Sequence, residues 1–171
     1  MEIQIYTIGH SNHPFNKVVA ALAQNGVEHV VDVRSSPFSK HASQFNHKAV
    51  KQEFPKRAVK YTFMGDSLGG LPKSDEFKNS KGEPDYEKMA ADKWFKDGIE
   101  WLLKLAEKNT VCLLCAEEDP AKCHRSRLLA PRLEALGATV VHIRADGSTE
   151  TQRECEKRSF NPKEAQMDLF E

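Results

Sequence analysis

The stretch that decides the fold is Thr110-Val111-Cys112-Leu113-Leu114-Cys115-Ala116-Glu117-Glu118-Asp119-Pro120-Ala121-Lys122-Cys123-His124-Arg125. An apolar run leads into a polar loop, and an amphipathic segment then continues to Gly137. This order predicts a buried strand, a loop and a helix. Two thiols, an acid, an imidazole and a guanidinium therefore gather where a strand ends and a helix begins. Backbone N–H groups and the helix dipole favour anions and thiolates at such a place, so we expect the chemistry of the protein there.

Apolar strand patterns and helical stripes alternate along the chain. Because the predicted strands are nearly continuous in apolar residues, they are typical of a parallel sheet that is covered on both faces. We predict an α/β fold: a single three-layer, Rossmann-like domain with a mainly parallel sheet flanked by helices. The domain is expected over residues 1–145, with a polar surface insertion at 72–92 and a polar, poorly packed tail at 146–171. Pro131 is expected to kink or interrupt the last predicted helix, over residues 128–136.

Composition narrows the class of protein. A length of 171 residues suits one domain with a real core. The 25 basic and 25 acidic side chains balance, which excludes a general preference for polyanions. The sequence has no apolar run as long as a membrane span and no signal peptide. Its four cysteines do not resemble a disulfide framework. We therefore expect a cytoplasmic protein with reduced thiols and no membrane partner.

Polar residues follow several predicted strands at their carboxyl ends, the edge where parallel α/β sheets bind ligands. Each of them alone is ordinary turn chemistry. Their placement at one edge predicts a shared site that contains His10, Ser11, Arg34, Ser35, Ser36, Asp66, Gly69, Gly70, Cys115, Glu117 and His142.

Cys115 and Cys123 allow three interpretations. Cys123, beside His124 and Arg125, is suited to be a thiolate nucleophile, with Cys115 as a second thiol. Alternatively, Cys115, Cys123 and His124 supply three ligands of a zinc or iron site, with Glu117 or a distant histidine as the fourth, although their spacing is wider than usual. In the third interpretation both thiols are small buried apolar groups. No cofactor belongs to the leading prediction.

The other two cysteines are expected to be unimportant. Cys112 and Cys115 are three residues apart on a strand, so they point to opposite faces and do not form a redox pair. Cys155 lies among charged residues and is expected to be an exposed thiol.

Two segments suggest partners. Residues 40–60 interleave lysines with aromatic residues, which is typical either of local, salt-sensitive nucleic-acid binding or of a solvated helix whose phenylalanines enter the core. The C-terminal Gln166-Met167-Asp168-Leu169-Phe170 is similar to the peptide by which bacterial proteins dock on the DNA sliding clamp. Gln166, Leu169 and Phe170 would make that contact. In the alternative, Leu169 and Phe170 pack on the domain.

Over residues 5–145 the chain resembles domain-of-unknown-function family 488. The motifs that carry the resemblance are Thr7-Ile8-Gly9-His10-Ser11, Asp32-Val33-Arg34 with Pro37 and Ser39, Phe45-Asn46, Tyr61, Leu68-Gly69-Gly70, Leu114-Cys115-Ala116-Glu117, Cys123-His124-Arg125 and Val141-His142-Ile143. The resemblance implies an α/β fold and a polar site that includes Ser39. It implies no established reaction.

The leading hypothesis is an enzyme that acts on a nucleotide or nucleic-acid component, in DNA repair or replication if the clamp peptide operates. Arg34 and Arg125 would hold an anion, together with Ser11, Ser39, Gly69, Gly70 and His142. Cys115 or Cys123 would react or ligate, and protons would be handled by Glu117, His10 or His124. The alternatives are a non-catalytic module that binds nucleic acid and the clamp, and a metal-dependent version of the same site.

Overall fold

A computed structural model describes residues 2–159 of the chain. Its centre is a six-stranded sheet in the order β3-β2-β4-β1-β5-β6. The first five strands are parallel and β6 is antiparallel to β5. The strands are β1 (Ile3–Gly9), β2 (His29–Asp32), β3 (Lys60–Phe63), β4 (Val111–Cys115), β5 (Ala138–Ile143) and β6 (Thr149–Thr151).

Helices cover both faces of the sheet, which confirms the predicted three-layer α/β fold. The α-helices of the described residues are α1 (Phe15–Gln24), α2 (His47–Glu53), α3 (Gly65–Leu68), α4 (Tyr86–Ala91), α5 (Lys93–Ala106), α6 (Ala130–Ala135) and α7 (Gln152–Ser159). None of the helices within residues 2–159 combines the length and the apolar character that a bilayer crossing requires.

Strand β4 lies in the middle of the sheet and is buried along its whole length. Its residues alternate between two cores. Val111 and Leu113 belong to the cluster under α5 and α6, whereas Cys112 and Leu114 belong to the cluster under α1 and α2. Cys112 therefore faces away from the side toward which Cys115 extends, as predicted.

The register brings the strand ends together. Gly9 of β1 lies opposite Cys115 of β4, and Asp32 of β2 lies opposite Leu114. A side chain at Gly9 would collide with the backbone of Glu117, because its Cβ would come 1.8 Å from the carbonyl oxygen. The loop after β4 is thus folded closely over the end of β1.

The expectation of a poorly packed tail from residue 146 is wrong for residues 149–159. Strand β6 completes the sheet edge at β5, and α7 packs beneath it with Gln152 and Cys155 buried. Cys155 is fully buried rather than exposed. The eight-residue helix presents only these two buried residues, too few to give a visible apolar stripe. Gln166, Leu169 and Phe170 lie outside the described residues.

One local expectation changes and another holds. The segment 72–92 is polar, but Phe77 and Met89 anchor it in the core. The regular helix predicted over residues 128–136 is interrupted as expected: α6 begins only at Ala130 and has Pro131 in its first turn, where no N–H is needed. A π-helical turn over Arg125–Leu129 precedes it. Such turns are frequent at functional sites.

Candidate functional site

A pocket of about 380 Å³ opens at the carboxyl edge of the sheet, where the predicted site was expected. It lies between the loops that follow β2 and β4, the turn after α3 and the start of α4. Its walls are Arg34, Ser35, Ser36, Gly70, Leu71, Tyr86, Cys115, Ala116, Glu117, Lys122, Cys123 and His124.

Two sulfur atoms form the floor of this pocket. Cys115 ends β4, and Cys123 follows a short turn, over Pro120–Lys122, that Asp119 caps by accepting a hydrogen bond from Ala121 N at 3.1 Å. The sulfurs lie 3.2 Å apart. The two residues are 8% and 5% exposed, so the pair is shielded but still borders the pocket.

Arg125 is completely buried beside the sulfur pair. Its Nε and its backbone N–H donate to Cys123 Sγ, at 3.3 and 3.5 Å. The rest of the guanidinium donates to Thr7 Oγ1 at 3.2 Å and to the carbonyl oxygens of Glu117 and Glu118. The predicted anion contact of Arg125 is thus replaced, among the described residues, by contacts to a sulfur and to the loop that carries it.

This environment shifts the pKa values of the two thiols in opposite directions. The hydrogen bond between the two sulfurs and the positive charge of Arg125 lower the pKa of Cys123 well below its usual range. The same hydrogen bond and burial raise the pKa of Cys115. Of the two sulfurs, Cys123 is the one whose surroundings favour the thiolate, since the N–H donors of Arg125 that reach the pair both point at it.

His124 presents one ring nitrogen to both sulfurs. Its Nδ1 lies 3.6 Å from Cys123 Sγ and 3.9 Å from Cys115 Sγ. Its Nε2 lies 3.1 Å from the carbonyl oxygens of Val33 and Leu68, which only accept hydrogen bonds. Nε2 therefore carries the hydrogen, and in the neutral ring Nδ1 offers a lone pair to the cluster.

His10 and Arg34 lie at the same edge but contact each other. Arg34 forms a two-pronged ion pair with Asp32, at 2.8 and 2.6 Å, and donates from Nη1 to Phe45 O and to His10 Nε2. The other ring nitrogen of His10 donates to Ser11 O at 2.6 Å. Burial lowers the pKa of His10 to about 4, so its ring is neutral. Both predicted residues are thus largely engaged in holding the loops.

The remaining predicted residues divide between the pocket and its surroundings. Glu117 and Gly70 line the pocket, and the exposed carboxylate of Glu117 has no hydrogen-bond partner among the described residues. Ser39 Oγ instead accepts from two backbone N–H groups of its own loop, and Gly69 packs against Ser35. Ser11 and His142 lie outside the pocket lining; His142 belongs to β5, and its side chain is buried between Thr7 and Gln152.

The sequence interpretation missed Lys122 and Tyr86 in the pocket. Lys122 lies in the stretch 110–125, directly before Cys123, and the roles predicted there from the sequence fall on the thiols, Glu117, His124 and Arg125 but not on this lysine. Tyr86 belongs to the segment that was treated as a surface insertion, and an aromatic residue in so polar a stretch is the signal that could have identified it. Burial and the neighbouring Cys123 raise the pKa of Tyr86.

The fold and the site define an α/β protein with a paired-cysteine centre at the carboxyl edge of its sheet. The family model described as "Domain of unknown function DUF488" matches residues 14–131, more than half of the chain, and the chain belongs to this family. The matched region contains Arg34, Gly70 and the Cys115–Arg125 loop. Comparisons with curated proteins and with solved structures found no match. The family match ends at residue 131 and does not bear out the clamp-docking prediction for the C-terminal peptide.

Proposed function

We propose that this protein is an enzyme whose reaction centre is the Cys115–Cys123 pair, and that its substrate is an anion of about nucleotide size. The observation that carries the proposal is the pair itself: two cysteine sulfurs 3.2 Å apart on the floor of an open pocket, one of them accepting hydrogen bonds from Arg125. The thiolate is the form of cysteine that attacks electrophiles and binds metals.

The pair is difficult to explain as a packing device. A buried arginine and a thiolate carry a desolvation cost of several kcal/mol per ion, which apolar packing avoids. Cys112 shows how this fold uses a cysteine for packing alone, because it lies in an apolar cluster and burial raises its pKa. The polar surroundings of Cys123 therefore favour chemistry over packing.

The pocket also supports an anionic substrate. Lys122 is exposed on its wall and forms no ion pair among the described residues, while Ser35 and Ser36 border the same space. The volume of about 380 Å³ lies in the usual range for small-molecule sites. Glu117, on the same wall, is the carboxylate placed to move protons. A nucleotide or another nucleic-acid component meets these requirements.

Turnover measured on a panel of nucleotides and phosphate esters tests this proposal. We expect Cys123→Ala to abolish turnover, and Lys122→Ala to raise KM by about 10-fold with a smaller effect on kcat, because a loss of about 1.4 kcal/mol in substrate binding has that size. Cys155→Ala, which changes a buried cysteine outside the pocket, is the control. The proposal would be overturned if every member of the panel failed both to be turned over and to bind in calorimetry.

A non-catalytic nucleic-acid module is the second candidate. Lys40, Lys48 and Lys51 are exposed in the basic segment, but its Phe45 and Phe54 are fully buried and cannot stack on bases. This module would bind single-stranded DNA equally well after both Cys115 and Cys123 are replaced by alanine. Such a result, together with no turnover, would favour the module over the enzyme.

A further inference from the structure

We infer that Cys115, Cys123 and His124 bind one zinc ion, with the fourth coordination position facing the pocket. The inference rests on the proposed function for the role of the pocket and deepens it, since the reacting atom then binds at a metal. Cys115 Sγ, Cys123 Sγ and His124 Nδ1 all lie within 4.8 Å of one another, on three buried residues.

The distances suit a tetrahedral ion. Zinc binds thiolate sulfur at about 2.3 Å and imidazole nitrogen at about 2.0 Å, which separates two sulfurs by about 3.8 Å and a sulfur from a nitrogen by about 3.5 Å. The observed nitrogen–sulfur distances are 3.6 and 3.9 Å, and the sulfur–sulfur distance is 3.2 Å. The two sulfurs would need to separate by about 0.6 Å, and His124 Nδ1 would need to approach Cys115 Sγ by about 0.4 Å.

The orientation of His124 is the second observation. A zinc-bound histidine donates its other ring N–H to a carbonyl or carboxylate, which fixes the tautomer and the plane of the ring. His124 Nε2 has two such carbonyl acceptors, on Val33 and Leu68. Gly70 packs on the ring, since a Cβ there would come 2.7 Å from His124 Cγ. The ring is thus held with its Nδ1 lone pair toward the sulfurs.

The donor set selects the metal. Two thiolates and an imidazole favour zinc over magnesium or calcium, which prefer oxygen ligands. Arg125 donates to Cys123 Sγ, as partners of metal-bound thiolates do. Binding would release the remaining thiol proton of Cys115 to solvent, so that both sulfurs ligate as thiolates.

The fourth position is open rather than occupied by protein. Within residues 2–159, no other histidine, cysteine or acidic side chain joins the three-ligand group, and this includes Glu117, which was a candidate fourth ligand. Three protein ligands with one open position are typical of catalytic zinc sites, whereas structural sites are closed by four. All three ligands line the pocket, so a water or a substrate atom would complete the coordination there.

Metal analysis of the full chain, purified without chelator and then loaded with zinc alone, tests the inference. We expect about one zinc per chain after removal of free metal, and thiolate-to-cobalt absorption bands of a tetrahedral site after exchange with cobalt. Less than about one zinc per ten chains, with no cobalt band, would overturn the inference. Uptake of ferrous iron but not of zinc or cobalt would overturn the choice of metal.

Ligand variants extend the test. Cys115→Ser, Cys123→Ser and His124→Gln should each weaken zinc binding by at least 100-fold, because loss even of outer partners costs 10- to 100-fold. Cys112→Ala, on the opposite face of the same strand, is the matched control and should retain the ion. If the variants misfold, the cobalt spectrum of the unaltered protein still decides.

The metal measurement and the turnover measurement fail separately. A protein without zinc that still loses turnover in Cys123→Ala refutes the ion and leaves the enzyme proposal standing. A protein with stoichiometric zinc but no turnover or anion binding refutes the enzyme proposal and leaves the metal site standing.

Discussion

Arg125 donates its Nε–H to Cys123 Sγ at 3.3 Å while its own side chain is wholly removed from solvent. The guanidinium also donates to Thr7 on β1 and to the two carbonyl oxygens that follow Ala116. One side chain thus joins the central sheet, the loop after β4 and Cys123 Sγ. Its loss should affect both stability and thiol chemistry.

Replacing Arg125 with methionine should lower the free energy of unfolding by about 3–5 kcal/mol, because removing one partner of a buried charged pair leaves the other uncompensated. Urea unfolding measures this change. Arg153→Met, which changes an exposed arginine on α7, should shift the midpoint very little. An Arg125→Met protein as stable as the Arg153→Met protein would contradict the role assigned to the guanidinium.

Gly70→Ala should displace the His124 ring, because the new Cβ would come within 2.7–2.9 Å of the Cβ, Cγ and Nδ1 atoms of His124. We expect overpacking to lower the free energy of unfolding by about 1–3 kcal/mol, and we expect zinc to bind at least 10-fold more weakly. Unfolding and cobalt titration measure the two effects. Leu136→Ala, at a side chain that is 63% exposed and outside the pocket, should change neither. Unaltered cobalt binding in Gly70→Ala would argue against the need for a fixed ring.

Gln152→Leu should lower the free energy of unfolding by about 1–3 kcal/mol. The substitution leaves the Nε2 of His142 and the carbonyl oxygen of Ser126 buried without their Gln152 partners. Thermal or urea unfolding measures the loss. The exposed Gln52→Leu on α2 is the control. Equal stabilities of the two variants would contradict the role assigned to Gln152 in joining α7 to His142 and Ser126.

Burial lowers the pKa of His142 to about 4, and this predicts acid sensitivity. Because the unfolded histidine, with a pKa near 6.5, binds more protons than the folded one, stability is complete above about pH 6.5 and falls as the pH drops toward 4. His142 alone should account for about 2 kcal/mol lost between pH 7 and 5.

Urea unfolding across that pH range tests the prediction. His142→Gln should make the decline shallower by about 2 kcal/mol, whatever its effect at pH 7, and the exposed His41→Gln should leave the slope unchanged. A slope equal to that of the unaltered protein in His142→Gln would exclude His142 as the source.

The sequence predicts the main strands of the fold and the sheet edge at which the site lies, but not every element. Local periodicity predicts strands over residues 3–8, 29–33, 61–64, 111–115 and 139–143, and each end lies within one residue of the ends of β1 to β5. The weak β6 and α7 were missed because their burial depends on an edge strand and on Ser126, which are remote in the chain. The placement of Cys115 and Cys123 at one edge could be predicted because parallel strands end together.

The sequence by itself determined the alternating α/β architecture and the gathering of thiols, imidazole and guanidinium after β4, since both follow from short-range patterns. Only the tertiary structure decided what each group faces. Val33 and Leu68 set the His124 tautomer, Asp32 engages Arg34, and Thr7 holds Arg125 beside the sulfur. The physical reason is that hydrogen-bond partners of buried polar groups come from distant segments, which no local pattern records.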